Sequence, residues 1–131
     1  MRLLTAILIA ALSFGGAASA KQPLREVASI DDALMYVAIA DAIRKSCDTI
    51  NARLIRAYSE LNRLKALARD MGYTEEEVEA YVTSKAEKAR MKDKAEAFLQ
   101  ANGVRPDDTP ALCRFGQSQI KAQTEIGQLL R

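Results

Sequence analysis

The chain has 131 residues, 19 Lys and Arg against 17 Asp and Glu, two cysteines, and neither histidine nor tryptophan. That length allows one small domain, and the lack of histidine excludes Ser-His-Asp and Cys-His catalysis, His-ligated haem and every Cys/His zinc site. A formal net charge of +2 is too small to imply nucleic acid.

Residues 1–20 read as a secretory signal peptide. Arg2 supplies the charge, residues 3–12 are apolar except for Thr5, and Ala18-Ser19-Ala20 is a cleavage site followed by polar Lys21 and Gln22. The apolar run is well short of the roughly 20 residues that a spanning helix needs. Cleavage after Ala20 places the protein in the periplasm, with residues 21–28 as a poorly ordered leader and 29–131 as the helical domain.

The first predicted helix begins at Ser29, with Asp32 at the capping-box position. Its stretch 33–43 is apolar apart from Asp41, which predicts the most buried helix of the fold. The second predicted helix covers 49–71. Ile50, Leu54, Ala57, Leu61, Leu64, Ala68 and Met71 recur four and three apart, which predicts a seam packed within the bundle. Leu61 and Leu64 lie mid-seam and are expected to face the two later helices. Gly72 closes this helix as its C′ residue.

The third predicted helix starts at Thr74, with Glu77 completing a capping box, and runs to Ala101 before Asn102-Gly103. A linker follows, and Asp108 or Thr109 caps the fourth, with Pro110 at its first position. Gly116 and Gly127 mark close packing or a break within that last segment. Sustained period-two alternation is missing, so no sheet is expected. Many of the apolar residues are alanine, which makes for a thin core that a covalent staple would help. Cys47 and Cys113 are the candidates, and export would put them where paired thiols oxidise. Their spacing is far from the redox pattern C-x-x-C. The expected fold is all-α: a small single-domain bundle of about four helices stapled by one disulfide.

Three charged features stand out. From Arg44 to Arg69 basic residues outnumber acidic ones seven to two. Arg53, Arg56, Arg63 and Arg69 form a candidate basic face for an anionic partner, a lipid headgroup or an acidic protein surface. Lys85, Lys88 and Lys92 form a second stripe, diluted by neighbouring acids. Glu75, Glu76, Glu77 and Glu79 sit in a helix first turn, where capping and the macrodipole account for them. Aromatic residues interleaved with basic ones, as nucleic-acid binding would favour, are missing.

The order of Cys47, Arg53 and Leu61, then Gly72-Tyr73-Thr74 with Glu77, Tyr81-Val82 and the run 85–90, and finally Gly103, Cys113, Gly116, Ile120, Ile126-Gly127 and Leu129-Leu130, resembles an uncharacterised exported alphaproteobacterial family, the domain of unknown function DUF5333. The resemblance spans about residues 30–131. It implies a small exported helical protein of Gram-negative bacteria and carries neither an activity nor site residues.

The sequence therefore predicts a periplasmic, non-catalytic helical protein that binds a protein or envelope partner. It predicts no catalytic residue, no metal, no cofactor and no nucleic acid. A small single-disulfide stress chaperone of the envelope is the alternative.

Overall fold

The computed structural model describes residues 21–131. The signal peptide expected over 1–20 lies outside the described residues. The fold is all-helical: α1 (Ala28–Ser46), α2 (Leu54–Asp70), α3 (Glu75–Thr83), α4 (Lys85–Ala101) and α5 (Thr109–Ala122), with short 3-10 turns at Leu24–Glu26 and Gly127–Leu129. Among the described residues there are five helices where about four were expected. The extra one arises at Ser84, whose backbone is extended and whose hydroxyl accepts from the Glu87 N–H at 3.2 Å. A serine cap three residues before a glutamate starts a new helix where the sequence reading ran straight through.

The central element is α1, which touches α2, α4, α5 and both 3-10 turns. Ile39 and Ile43 on α1 are essentially sealed from solvent, as are Ile126 and Leu130 from the chain end. Each such side chain contributes roughly 1.5–3 kcal/mol by leaving water. α5 comes close to α1 because residue 116 is glycine: a Cβ there would lie 2.8 Å from Ile43 Cγ2 and 2.9 Å from Ile50 Cδ1. Gly127 is more constrained still. A Cβ would sit 1.8 Å from the Gln119 carbonyl oxygen, so only glycine lets the tail fold back onto the end of α5. The break expected near this glycine occurs at Gln123, which adopts a left-handed conformation.

Residues 49–53, expected to open the second helix, are not helical. Ile50 is buried from this loop. The Asn51 N–H donates to the Arg131 carbonyl and the Arg131 N–H to the Asn51 carbonyl, both at 2.8 Å, while the Arg53 N–H donates to the Leu129 carbonyl. Pairing with the chain end satisfies backbone groups that a helix would otherwise have taken. The resulting contact between Ala52 and Leu130 is an isolated antiparallel bridge, and among the described residues there is no strand.

The segment 21–28, expected as a loose leader, is docked. Leu24 and Val27 are buried with Ile30, Ala68, Tyr73 and Val78 in a second apolar cluster. The Tyr73 hydroxyl donates to the Gln22 carbonyl at 2.5 Å. Lys21 Nζ donates to the Gly72 carbonyl and to Glu77, each at 2.8 Å. Two apolar side chains on a short turn suffice to hold this segment against α2 and α3. Ser29 accordingly does not cap α1. The helix starts at Ala28, and Val27 before it makes no side-chain cap.

The disulfide joins Cys47, at the carboxyl end of α1, to Cys113 on α5, with Cα atoms 5.7 Å apart.

Candidate binding groove

The predicted seam of α2 divides into parts with different fates. Leu64 and Ala68 are buried, whereas Leu54 is 68% exposed and Met71 44% exposed. Ala57 and Leu61 are half-buried. Together with Leu54 they form one wall of an open groove of about 490 Å³. Leu61 is therefore a groove residue and not, as expected, part of the closed core.

The opposite wall comes from α1, where Leu34, Val37, Ala38 and Asp41 recur three and four apart on one helix face. Tyr81 and Val82 of α3 and Met91 of α4 complete the lining. Ala38 and Ala57 carry only a methyl where a larger side chain would fill the space. The rim is charged with both signs: Asp41 and Arg44 from α1, Glu87 and Lys88 from α4. Concave, apolar and sparsely polar, the groove has the ordinary character and size of a binding site.

A buried ion cluster fixes α3 and α4 to α1 beside this groove. Asp31 is 2% exposed. It accepts from Arg90 at 2.5 and 3.2 Å, from Lys94 at 2.6 Å and from the Tyr81 hydroxyl at 2.5 Å. Lys94 also reaches Asp32 at 2.5 Å, and Arg90 reaches Glu87 at 2.8 Å, which in turn meets Arg25. Burial alone would push the Asp31 carboxyl up, but the hydrogen bonds from Arg90, Lys94 and Tyr81 outweigh it and hold it at about 2. Burial, with Asp31 beside it, pushes the Tyr81 hydroxyl above its usual range. The Lys94 ammonium also lies above its ordinary value: burial opposes its charge, and Asp31 and Asp32 more than compensate. A general acid or base works best with a pKa near the ambient pH. These shifts all run away from neutrality, as they do in an ion cluster that serves packing.

The cluster was not legible as a site. Asp32 reads as a cap, and the sequence does not say which cations reach Asp31. The available signal was two adjacent acids on an apolar helix, together with Arg90 and Lys94 four apart on another.

Residues 22–131 match the model of a family of unknown function (DUF5333). The chain belongs to that family. No curated protein and no solved structure matches it. The match begins at Gln22, so the DUF5333 unit includes the docked segment as well as the five helices.

In this DUF5333 chain the four arginines of the predicted basic face are spread along α2 and differ in their partners. Arg63 holds Glu60 through two hydrogen bonds at 2.6 and 2.9 Å. Arg69 bridges to Glu75 at 3.0 Å across the turn into α3. Arg56 donates to Gln128. Arg53 sits just before the helix and lines an open cleft with Arg56, Ile55, Glu60 and Arg131. The first-turn acids of α3 are used as expected: Thr74 and Glu77 form a reciprocal capping box. Among the described residues no group of three or more His, Cys, Asp or Glu is placed to hold a metal ion, and no helix is long and apolar enough to cross a membrane.

Proposed function

We propose that this protein is an exported, non-catalytic binding module of the periplasm, and that its groove takes the apolar face of a helix from a partner protein. The groove itself carries this reading. Its walls are largely aliphatic, it is open along one side, and its rim carries Asp41, Arg44 and Lys88 beside a charged flank. An amphipathic helix lays its apolar face into a site of this kind and leaves its polar edges to the rim. Several further features support it. The chain lacks histidine, its buried carboxylate is fully engaged, and its disulfide suits an oxidising compartment.

A photo-crosslinking residue placed at Ala38, in the groove, should yield one discrete adduct in the living host. The same residue at Lys121, on the exposed surface of α5, should yield none. A ladder of many adducts from Ala38 would instead identify a chaperone with multiple clients. Failure to form any adduct from Ala38 would reject the groove as the binding surface. Protein recovered from the same host should begin at Lys21, and N-terminal sequencing that finds Met1 retained would reject export by a cleaved signal.

A further inference from the structure

Of the four exposed large apolar side chains among the described residues, the three most exposed lie together, and only Met71 stands apart. Leu54, Ile55 and Tyr58 are 68%, 89% and 69% exposed. Positions 54, 55 and 58 fall within about 100° of the circumference of a helix that turns through 3.6 residues. They form a single projecting patch at the amino end of α2. Isolated exposed apolar residues are ordinary on a protein surface, whereas a cluster marks contact with something. Leu54 also borders the groove, whereas Ile55 and Tyr58 do not line it and point the patch away from it.

Its surroundings are cationic. Arg53 precedes the helix and Arg56 lies in the first turn, which contains no acidic residue. The one acid in the adjoining cleft, Glu60, is already held by Arg63. The amino end of a helix carries positive partial charge and is normally matched by Asp or Glu. Here two arginines add to that charge, which an external anion would relieve.

We propose that this end of α2 docks on the surface of an anionic phospholipid bilayer. The shape of the patch selects lipid over an acidic protein. Its side chains project from a helix end and do not line a pocket, and a bilayer interface accepts projecting side chains without needing a complementary cavity. Leu54 and Ile55 enter the acyl boundary, the Tyr58 hydroxyl stays at headgroup level, and the arginines extend to the phosphates. The docking is peripheral, and Leu54 is the residue that the patch shares with the groove wall.

The test is co-sedimentation of the protein recovered from the exporting host with two sets of vesicles. One contains phosphatidylglycerol and phosphatidylethanolamine, the other phosphatidylcholine alone. The protein should sediment with the first and stay in solution with the second, and added salt should weaken the binding. Ile55→Glu combined with Tyr58→Ser should abolish it. Arg53→Ser and Arg56→Ser should each lower the affinity about fivefold and reduce its salt dependence. All four side chains are exposed, so circular dichroism melts of these variants should match the parent protein. Absence of sedimentation with the anionic vesicles overturns the proposal, as does binding that the Ile55 and Tyr58 substitutions leave intact. Equal binding to both vesicle types overturns its electrostatic part. A soluble protein partner lost on Ile55→Glu, with no vesicle binding, reassigns the patch to a protein interface.

Discussion

Asp31→Ala should destabilise the protein by about 3 kcal/mol, the lower end of the range for breaking a buried charge pair. The variant leaves Arg90 and Lys94 without their shared carboxylate, although Arg90 keeps Glu87 and Lys94 keeps Asp32. Those remaining pairs are the reason for the lower figure. Against a total stability of roughly 5–15 kcal/mol this is a large fraction, and the melting temperature should fall by roughly 10 °C or more. Asn at this position should not restore it, because its amide hydrogens would face donors.

The same carboxylate sets an acid limit. In the folded protein it titrates at about 2, against 3.8 for a free aspartate. A carboxyl with a depressed pKa adds stability in full above its unfolded value and loses it as the pH falls through the folded one. The contribution, on the order of 2 kcal/mol, should therefore persist down to about pH 4, fall through about pH 3 to 2 and vanish by about pH 1. Thermal melts of parent and Asp31→Ala across that window should converge on the acid side. Melts that stay parallel would show that Asp31 is not the group responsible.

Most patterns within one helix are legible in the sequence, although the Ser29 cap does not form and the Ser84 cap is easily read through, whereas patterns that depend on a distant partner are not. The Thr74 and Glu77 capping box, the Pro110 start and the Gly72 stop rest on neighbouring residues, and each is found in place. The seam of α2 obeyed its heptad spacing, but spacing gives only the side of the helix. Whether that side is closed by α5 or left as a groove depends on where α3, α4 and the chain end go. Ile50 shows this directly. It fits the helical repeat, yet it is buried from a loop because the 51–53 backbone pairs with 129–131. The docking of Leu24 and Val27 was hidden for a related reason. Two apolar residues between charged ones show no periodicity, and their burial depends on a surface formed by Ala68, Tyr73 and Val78. The groove was missed because small and medium apolar residues read as core in a sequence. Only geometry shows that Leu34, Val37 and Leu61 line a space that remains open.

Loss of the Cys47–Cys113 bond should lower stability by about 4 kcal/mol, an upper figure from the entropy of the loop it closes. The two cysteines are 66 positions apart, and the loop contains α2, α3 and α4 whole. The native protein should show no free thiol by intact mass without reductant, and Cys47→Ala with Cys113→Ala should reproduce the effect of reduction on the melt. Two alkylatable thiols in the oxidised protein would refute the bond. The damage should be local at first. The bond lies where α5 meets α1 through Gly116 and where the 51–53 backbone pairs with the chain end. Amide exchange at Arg53 and Arg131 should therefore accelerate before exchange in the middle of α1. Asp31 and Cys47 are 16 positions apart, or about 24 Å along the axis of α1 at 1.5 Å per residue. They share no partner, so their losses should add in a combined variant. α1 is thus pinned to α3 and α4 near its amino end by the ion cluster and to α5 at its carboxyl end by the disulfide. The groove face lies between these two fixings, and the wall formed by Leu34, Val37 and Ala38 keeps its position because both ends of the helix are held.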